Sequence, residues 1–446
     1  MSPSDLRDHP LRHVLTEELH ARPFARLVAP QRATHLALLS GEGTATDDRA
    51  HVAALCARFG APPPAADSTH HMVVIGPLTL KWERHTEFSS YTFFWQPADD
   101  DVAAAAPLGE VFSRTALDFV PRDWLETLPG ELLVGVHLAI LPRDTPAPDP
   151  DDVARLFGTD NLAGSLVSSE AAAIFLDFRI HDDGFERILI HDRGMRPRQA
   201  GRLVQRLFEI ATYRTTALLA LPVARRYGLE LSEAGKRLTE MTSQLAHIAG
   251  LEDERRLLAS LTGLWAQVER VAAEASYRFG AARAYYALVQ RRVEELREQR
   301  IAGLQTVREF LDRRLAPAMR TCQATAERLD TLSQRIARAS DLLRTRVDIQ
   351  LEAQNSDLLR SMNRRVELQL RLQQTVEGLS VAAISYYLVG LIYYAAKGAK
   401  TAGLPLAPDF VAGAAIPIVV TAVAVGLWRF RRRLHRLHRQ AREEEH

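Results

Sequence analysis

The chain has 446 residues, room for two or three domains, and its 56 Lys and Arg against 55 Asp and Glu leave a net charge of +1. Six arginines crowd residues 429–439 of the C-terminal tail; without them the balance turns negative, which excludes the broad basic footprint of a nucleic-acid binder. The two cysteines, Cys56 and Cys322, stand far apart and offer neither a disulfide framework nor a cysteine metal site.

The N-terminus lacks an apolar stretch of signal-peptide length, so export of the body is not expected. A short helix is predicted from Leu11 to about His20. On it His13, Glu17 and His20 fall within about 60° of one another, while Leu11, Val14, Leu15 and Leu19 cover the other side. Two imidazoles and a carboxylate on one face suit a divalent metal such as zinc; the competing reading is the polar face of an amphipathic helix.

Beyond it, residues 1–195 read as a mixed α/β domain. "THLALLS" is a strand and "DDRAHVAALCARF" a helix capped by Thr46 or Asp47. The intervening "GEGTAT" resembles a dinucleotide-binding turn without its third glycine, and turn plus cap explains it equally. "HMVVIGPLTLKW" gives two strands about Gly76–Pro77, and "FSSYTFFW" another.

In "LKWERHTEF" an extended backbone sets Trp82, Arg84, Thr86 and Phe88 on one side and Glu83, His85 and Glu87 on the other. The second set is either an acid/base or metal surface or one wet face of a sheet. "ELLVGVHLAIL" is a buried strand, and Asp149–Pro150 opens a short helix. In "IFLDFRIHDDGFERILIHDRG", Ile174, Leu176, Phe178 and Ile180 alternate onto one face and Asp183–Gly184 supplies a tight turn. Its two His-Asp pairs sit at turns and not on helices. No phosphate-binding loop and no nucleophile elbow occurs anywhere in the chain.

From 196 to 378 strand signals vanish and a helical stalk is predicted, with Pro317 at the joint between two antiparallel helices. Leu329, Leu332, Ile336, Ala339, Leu343 and Val347 keep a 3,4 spacing, continued loosely by Leu351, Leu358, Met362 and Val366. That is a coiled-coil-like seam, and it predicts a homo-oligomer through the stalk.

Two uncharged runs follow, 379–396 and 410–428. At about 1.5 Å per residue each comes close to spanning a hydrocarbon layer of about 30 Å. Gly398, Gly403, Pro405 and Pro408 punctuate the loop between them, so the region reads as a transmembrane hairpin whose partner is the lipid bilayer. Ser380, Ser385, Thr421 and the tyrosines are the polar groups within the spans, placed to line a pore or to bond between helices. The basic tail, 429–446, begins with Arg429, Arg431, Arg432 and Arg433. With Arg364, Arg365 and Arg371 before the first span, it puts both termini in the cytoplasm. The fold class is thus an α+β N-terminal cytosolic domain, a long helical stalk and a C-terminal two-helix transmembrane hairpin.

"HPLRHVLTEELHARPF", "LKWERHTEFSSYTFFW", "ARAYYALVQRRVEELREQRIAGLQTVREFLDRRLAPAMRTC" and "LRLQQTVEGLSVAAISYYLVG" resemble a bacterial family of membrane-anchored proteins, domain of unknown function 3422. The resemblance implies a location in the inner membrane of a Gram-negative bacterium and brings no catalytic residues to transfer. The architecture is also similar to CorA-type magnesium channels, but where those carry Gly-Met-Asn this chain reads "YYAAKGAKTAG". Three functions follow as expectations. The first is a non-enzymatic membrane-anchored protein, without a cofactor, whose α/β domain binds a partner or small ligand and whose stalk carries assembly or signal. The others are a CorA-like channel and a membrane-tethered enzyme.

Overall fold

The computed structural model describes residues 8–13, 15–16, 23–41, 45–98, 107–245, 247–248, 250–401 and 407–443. The chain divides into two compact units, Met1–Ala249 with Arg256–Asp341, and Gly250–Arg255 with Leu342–His446.

The first unit is built on a nine-stranded sheet. Its strands are β1 (Gln31–Leu39), β2 (His70–Ile75), β3 (Leu78–Arg84), β4 (Phe88–Trp95), β5 (Glu131–Leu141), β6 (Ala163–Val167), β7 (Ala172–Leu176), β8 (Glu186–Asp192) and β9 (Gln299–Arg300). They lie in the order β2-β3-β4-β1-β5-β8-β7-β6-β9, antiparallel except for the β5–β8 pair. Helices α1 (Ala45–Arg58), α2 (Arg122–Glu126) and α3 (Pro150–Phe157) belong to one face, and α4 (Pro197–Leu218) packs on the other. Asp149 caps α3 as expected, its carboxylate accepting the Asp151 amide at 2.9 Å. Helix α1 already begins at Ala45, so Thr46 and Asp47 stand in its first turn and not at its cap.

The face under α1 holds the larger core. Leu36 and Leu38 of β1, Leu80 and Trp82 of β3, and Tyr91 and Phe93 of β4 pack there with Val52, Leu55 and Trp124. Period-two alternation sends the intervening residues of the same strands to the opposite face, toward α4.

Helices then take over: α5 (Ala220–Gln244), α6 (Leu251–Leu296), α7 (Val307–Thr401) and α8 (Pro408–Glu443). The seam foreseen on α7 is buried from Leu329 to Val347, while Leu358, Met362 and Val366 are exposed. Helices α7 and α8 are each long and apolar enough to cross a membrane by length and composition.

Three expectations need correction. The joint between the long helices is not Pro317, which lies inside α7. It is residues 297–306, where Arg297 and Gly303 take positive φ and β9 pairs with the edge of β6. Glu298 seals the turn by accepting the Val307 and Arg308 amides at 2.8 and 3.0 Å. Thr306 and Glu309 add a capping box, with bonds of 3.1 and 2.9 Å. Second, β9 places a strand where only helix was expected. Third, the alternation expected from Ile174 to Ile180 stops short, although Asp183–Gly184 does form the turn, the His181 carbonyl accepting the Gly184 amide at 2.9 Å with Gly184 at positive φ. β7 ends at Leu176, the Asp177 carboxylate bends the chain by accepting the Arg179 amide at 3.2 Å, Phe178 stacks on Phe310, and Ile180 is exposed.

Candidate functional site

Within the first unit a cavity of about 250 Å³ opens between the sheet and helices α4 and α6. Lys81, Glu83 and His85 reach it because alternation turns them away from the Trp82 side. Gln205, Phe208, Glu209, Thr212 and Tyr213 reach it because their spacing is one face of a helix. Arg292 closes it from α6. Glycine at 201 lets α4 rest directly on the backbone of Ala25: a β-carbon there would stand 1.7 Å from the Ala25 carbonyl oxygen.

A chain of polar contacts runs through the cavity wall from the sheet into the helices. Lys81 Nζ lies 3.1 Å from Glu83 Oε1 and donates to Gln205 Oε1 at 3.4 Å. Gln205 Nε2 donates to Glu209 Oε1 at 2.8 Å, and Glu209 accepts from Arg292. Arg292 continues to Glu295 at 3.0 Å, which Arg206 meets at 3.1 Å. Burial opposes the charge on Arg292, but Glu209 and Glu295 outweigh it and raise its pKa; burial likewise opposes ionised Glu295, and Arg292 and Arg206 hold its pKa down. Arg292 and Glu295 are therefore ionised at neutral pH.

His35 is the floor of the cavity. Its Nδ1 lies 2.8 Å from Thr92 Oγ1 and its Nε2 3.0 Å from Thr212 Oγ1. Thr212 donates its own hydroxyl proton to the Phe208 carbonyl at 2.9 Å, so it must accept from His35. The proton therefore sits on Nε2, and Nδ1 accepts from Thr92. The ring stacks on Phe208 with centroids 4.7 Å apart. Burial, then Lys81 and His85, push its pKa down to about 3. His35 is thus a neutral structural group at pH 7 and no proton carrier.

This depression has a measurable consequence. Between its ordinary pKa near 6.5 and the folded value of about 3, the unfolded chain binds a proton that the folded chain refuses. Stability then falls as pH falls, by about 1.4 kcal/mol per pH unit. His35→Gln removes this term, so the acid limb of a denaturation series between pH 6 and 4 flattens by about that slope. An unchanged slope would show that His35 is hydrated or charged in the fold.

The alternation read in "LKWERHTEF" holds through Trp82, Glu83 and Arg84, and Glu83 and His85 of the second set are roofed by α4 and α6 and do not form a wet face. Phe88 departs from the expectation. The turn closed by the His85 amide on the Phe88 carbonyl, at 2.8 Å, reverses the chain, so Phe88 lines the cavity and stacks on His85 at 4.3 Å. Glu87 leaves the set to pair with Arg278 of α6. His35, Gln205, Glu209 and Arg292 carried no local signal in the sequence, apart from the polar i, i+4 pair Gln205 and Glu209 on an otherwise apolar face.

The other candidates fare as follows. His13 is exposed and stands 3.3 Å from Asp8, which also pairs with Arg12; Glu17 and His20 lie outside the described residues. Among the described residues no three His, Cys, Asp or Glu are grouped to hold a metal ion. The middle of "GEGTAT" also lies outside them. His191 lies within 3.1 Å of the Thr145 carbonyl, and Asp192 accepts the Gly194 and Met195 amides, so this His-Asp pair closes a turn. Cys56 and Cys322 are free and buried, and burial raises both thiols.

In the second unit Ser380 and Thr421 return their hydroxyls to the carbonyls of Val376 and Pro417, at 2.8 and 2.6 Å. Ser385 is buried, and its Oγ has no partner among the described residues. Arg429 is exposed; the side chains of Arg431, Arg432 and Arg433 lie outside the described residues.

A mostly antiparallel sheet, roofed by long helices with an ion-paired cavity between them, together with apolar C-terminal helices, defines the class of molecule. The chain belongs to the family described as protein of unknown function, DUF3422, whose sequence profile matches residues 7–434. No curated protein and no solved structure matches the chain, so the architectural likeness to CorA-type channels stands without a structural relative.

Proposed function

We propose that the protein is a non-enzymatic binding protein of the bacterial inner membrane. The 379–396 and 410–428 segments form its membrane hairpin, with both termini cytoplasmic. The sheet unit captures a small polar molecule in the cavity at Lys81, and the helices carry the resulting shift. One observation carries the reading: the cavity is walled by both layers, and one chain of polar contacts, Lys81–Gln205–Glu209–Arg292, links the sheet to two helices. A ligand that competes for Lys81 therefore pulls on α4 and α6 together.

The chemistry of the walls narrows the ligand. Lys81 and Arg292 balance Glu83 and Glu209, which suits a molecule of no net charge bearing its own donors and acceptors. Phe88 and Phe208 offer it apolar surface. Ser90 donates to the backbone carbonyl of Glu83 at 3.4 Å, and His35, which accepts from Thr92, is held by burial at a pKa of about 3, too weak a base to activate that hydroxyl, which favours binding over catalysis.

Exposure supports the anchor. None of the apolar window of Pro408–Arg429 and about a tenth of that on α7 is buried, whereas a soluble core helix would be mostly covered. The test has two arms. Membranes washed with high salt should retain the chain, and its release into the aqueous fraction would remove the anchor. Native mass spectrometry from mild detergent should show a small-molecule adduct on the wild type that Lys81→Met loses. The same adduct increment on both proteins, or none on either, would sink the binding reading.

A further inference from the structure

Helix α7 carries a second feature that the binding cavity leaves unexplained. Between Gln350 and Val376 its large apolar side chains stand in the open: Leu358 is 60% exposed, Met362 55% and Val376 60%. These residues precede the first uncharged run, so hydrocarbon does not cover them on the anchoring read above. At 100° per residue, Leu351, Leu358, Leu359, Met362, Val366, Leu370 and Val376 fall within an arc of about 120°. Asp357, Arg360, Arg364, Glu367 and Arg371 fall within about 80° on the far side. Glu352 and Arg365 stand at the two edges of the apolar arc.

Leu368 and Leu372, 57% and 67% exposed, stand outside the arc, Leu368 beside Asp357; the remaining apolar residues still give the helix one apolar face, which has no partner among the described residues. It continues the 3,4 spacing of the seam that is buried up to Val347. The covering element ends where the exposure begins: Arg346 and Gln350 reach back to Glu254, in the first turn of α6, at 3.9 and 3.2 Å. Beyond that point every residue from Glu352 to Val376 is exposed, apart from the half-buried Ser356.

We propose that this face, Leu351 to Val376, is the contact between parallel copies of this same chain. The occupant follows from the anchor, on which this inference rests. Within the second unit α7 runs without a break through Val376 into the apolar stretch and ends at Thr401, so it cannot lie flat on a bilayer surface. Two copies anchored from the same side in one membrane present the same residues at the same depth, parallel and in register. Each apolar arc then meets its own copy, which a rotational axis along the membrane normal satisfies. Inside the arc stand Asn355, Gln369 and Gln373. In a parallel pair each faces its counterpart and bonds amide to amide, and a one-turn slip in register sets Asn355 against Leu351 or Leu359. Far-side charges stay in water, which keeps the helix soluble outside the contact.

The test uses the full chain in native membranes, with Cys56→Ser and Cys322→Ser removing the buried thiols. Single cysteines are placed on the seam by Asn355→Cys and Met362→Cys, and on the wet face by Arg360→Cys and Arg364→Cys. Mild oxidation is expected to give a dimer-sized product from the seam positions at least fivefold more abundant than from the wet face. Equal yields from the two faces, or none from either, overturn the proposal. So does a monomer-sized product when Met362→Cys is combined with Leu437→Cys, since the chain's own tail would then be the cover. Recovery of the chain in the aqueous fraction removes the anchor and this assembly together, whereas a membrane-bound chain without face-specific linkage removes the assembly alone.

Discussion

Gly201→Ala is expected to destabilise the sheet unit by about 3 kcal/mol or more, enough to lower its melting temperature by many degrees. The added methyl carbon would sit 1.7 Å from the Ala25 carbonyl oxygen and 2.9 Å from its carbon, and both atoms are backbone. No rotamer relieves that contact. Segment 23–28 must lift from α4, exposing Ala25 and Leu27, which are now buried, and breaking the 3.1 Å bond from the Leu27 amide to the Pro197 carbonyl. Because Ala25 and Gly201 both line the cavity, ligand capture should fall with stability. Gly228→Ala is the matched control: it lies on α5, and its β-carbon would meet nothing within 4 Å. Helix propensity predicts a slight gain there. Thermal melts followed by tryptophan fluorescence should separate the two; equal melts would mean that segment 23–28 is not docked on α4.

Asp48→Ala is expected to cost about 3–5 kcal/mol, the loss that follows when one half of a buried ion pair goes. Asp48 is fully buried in the first turn of α1, and its Oδ2 stands 3.3 Å from Arg84 Nη1 and accepts from Ser89 at 2.6 Å. Arg84 also bonds the Gly41 carbonyl at 2.6 Å and the Ser40 hydroxyl. Removing the carboxylate leaves the guanidinium buried beside neutral partners only. The reciprocal pair Asp48→Leu with Arg84→Met removes both charges and is expected to recover most of the loss. Denaturant midpoints of the two single variants and the double give the coupling directly. A double variant as weak as the sum of the singles would show that the pair stabilises little and that Asp48 acts through Ser89 and the helix start. Burial, and then Asp48, also raise the pKa of the neighbouring Tyr91 phenol, so this cluster stays un-ionised on the tyrosine side at any physiological pH.

Local pattern carried much of the architecture. The 3,4 spacing from Leu329 to Val347 marked six positions that are all buried, because a helix must cover an apolar stripe. Strands β1 to β5 were visible as apolar, β-branched or aromatic runs between turn residues. Alternation sorted Trp82 from Glu83 correctly and failed at Phe88, because a turn between them resets the period. The helix joint was misplaced by trusting Pro317, although "TVRE" at 306–309 already spelled a capping box. Proline is a strong breaker only on average; here the packing of Leu315 and Met319, both buried, holds α7 through it.

The site was less legible. Lys81 meets Gln205 across 124 positions of sequence, and His35 meets Thr212 across 177. No periodicity encodes such a meeting, since it depends on which face of α4 lands on which side of the sheet. Composition and periodicity alone settled the family of elements: strands first, long helices next, two uncharged runs last. Those follow from burial of apolar side chains at fixed spacing, a property of neighbours in the chain. Only the tertiary structure decided that Lys81, Glu83, Gln205, Glu209 and Arg292 share one cavity, that His35 is neutral beneath it, and that the α7 seam loses its cover beyond Gln350. Charge compensation and burial act between residues that are close in space, and that closeness exists only once the layers have packed.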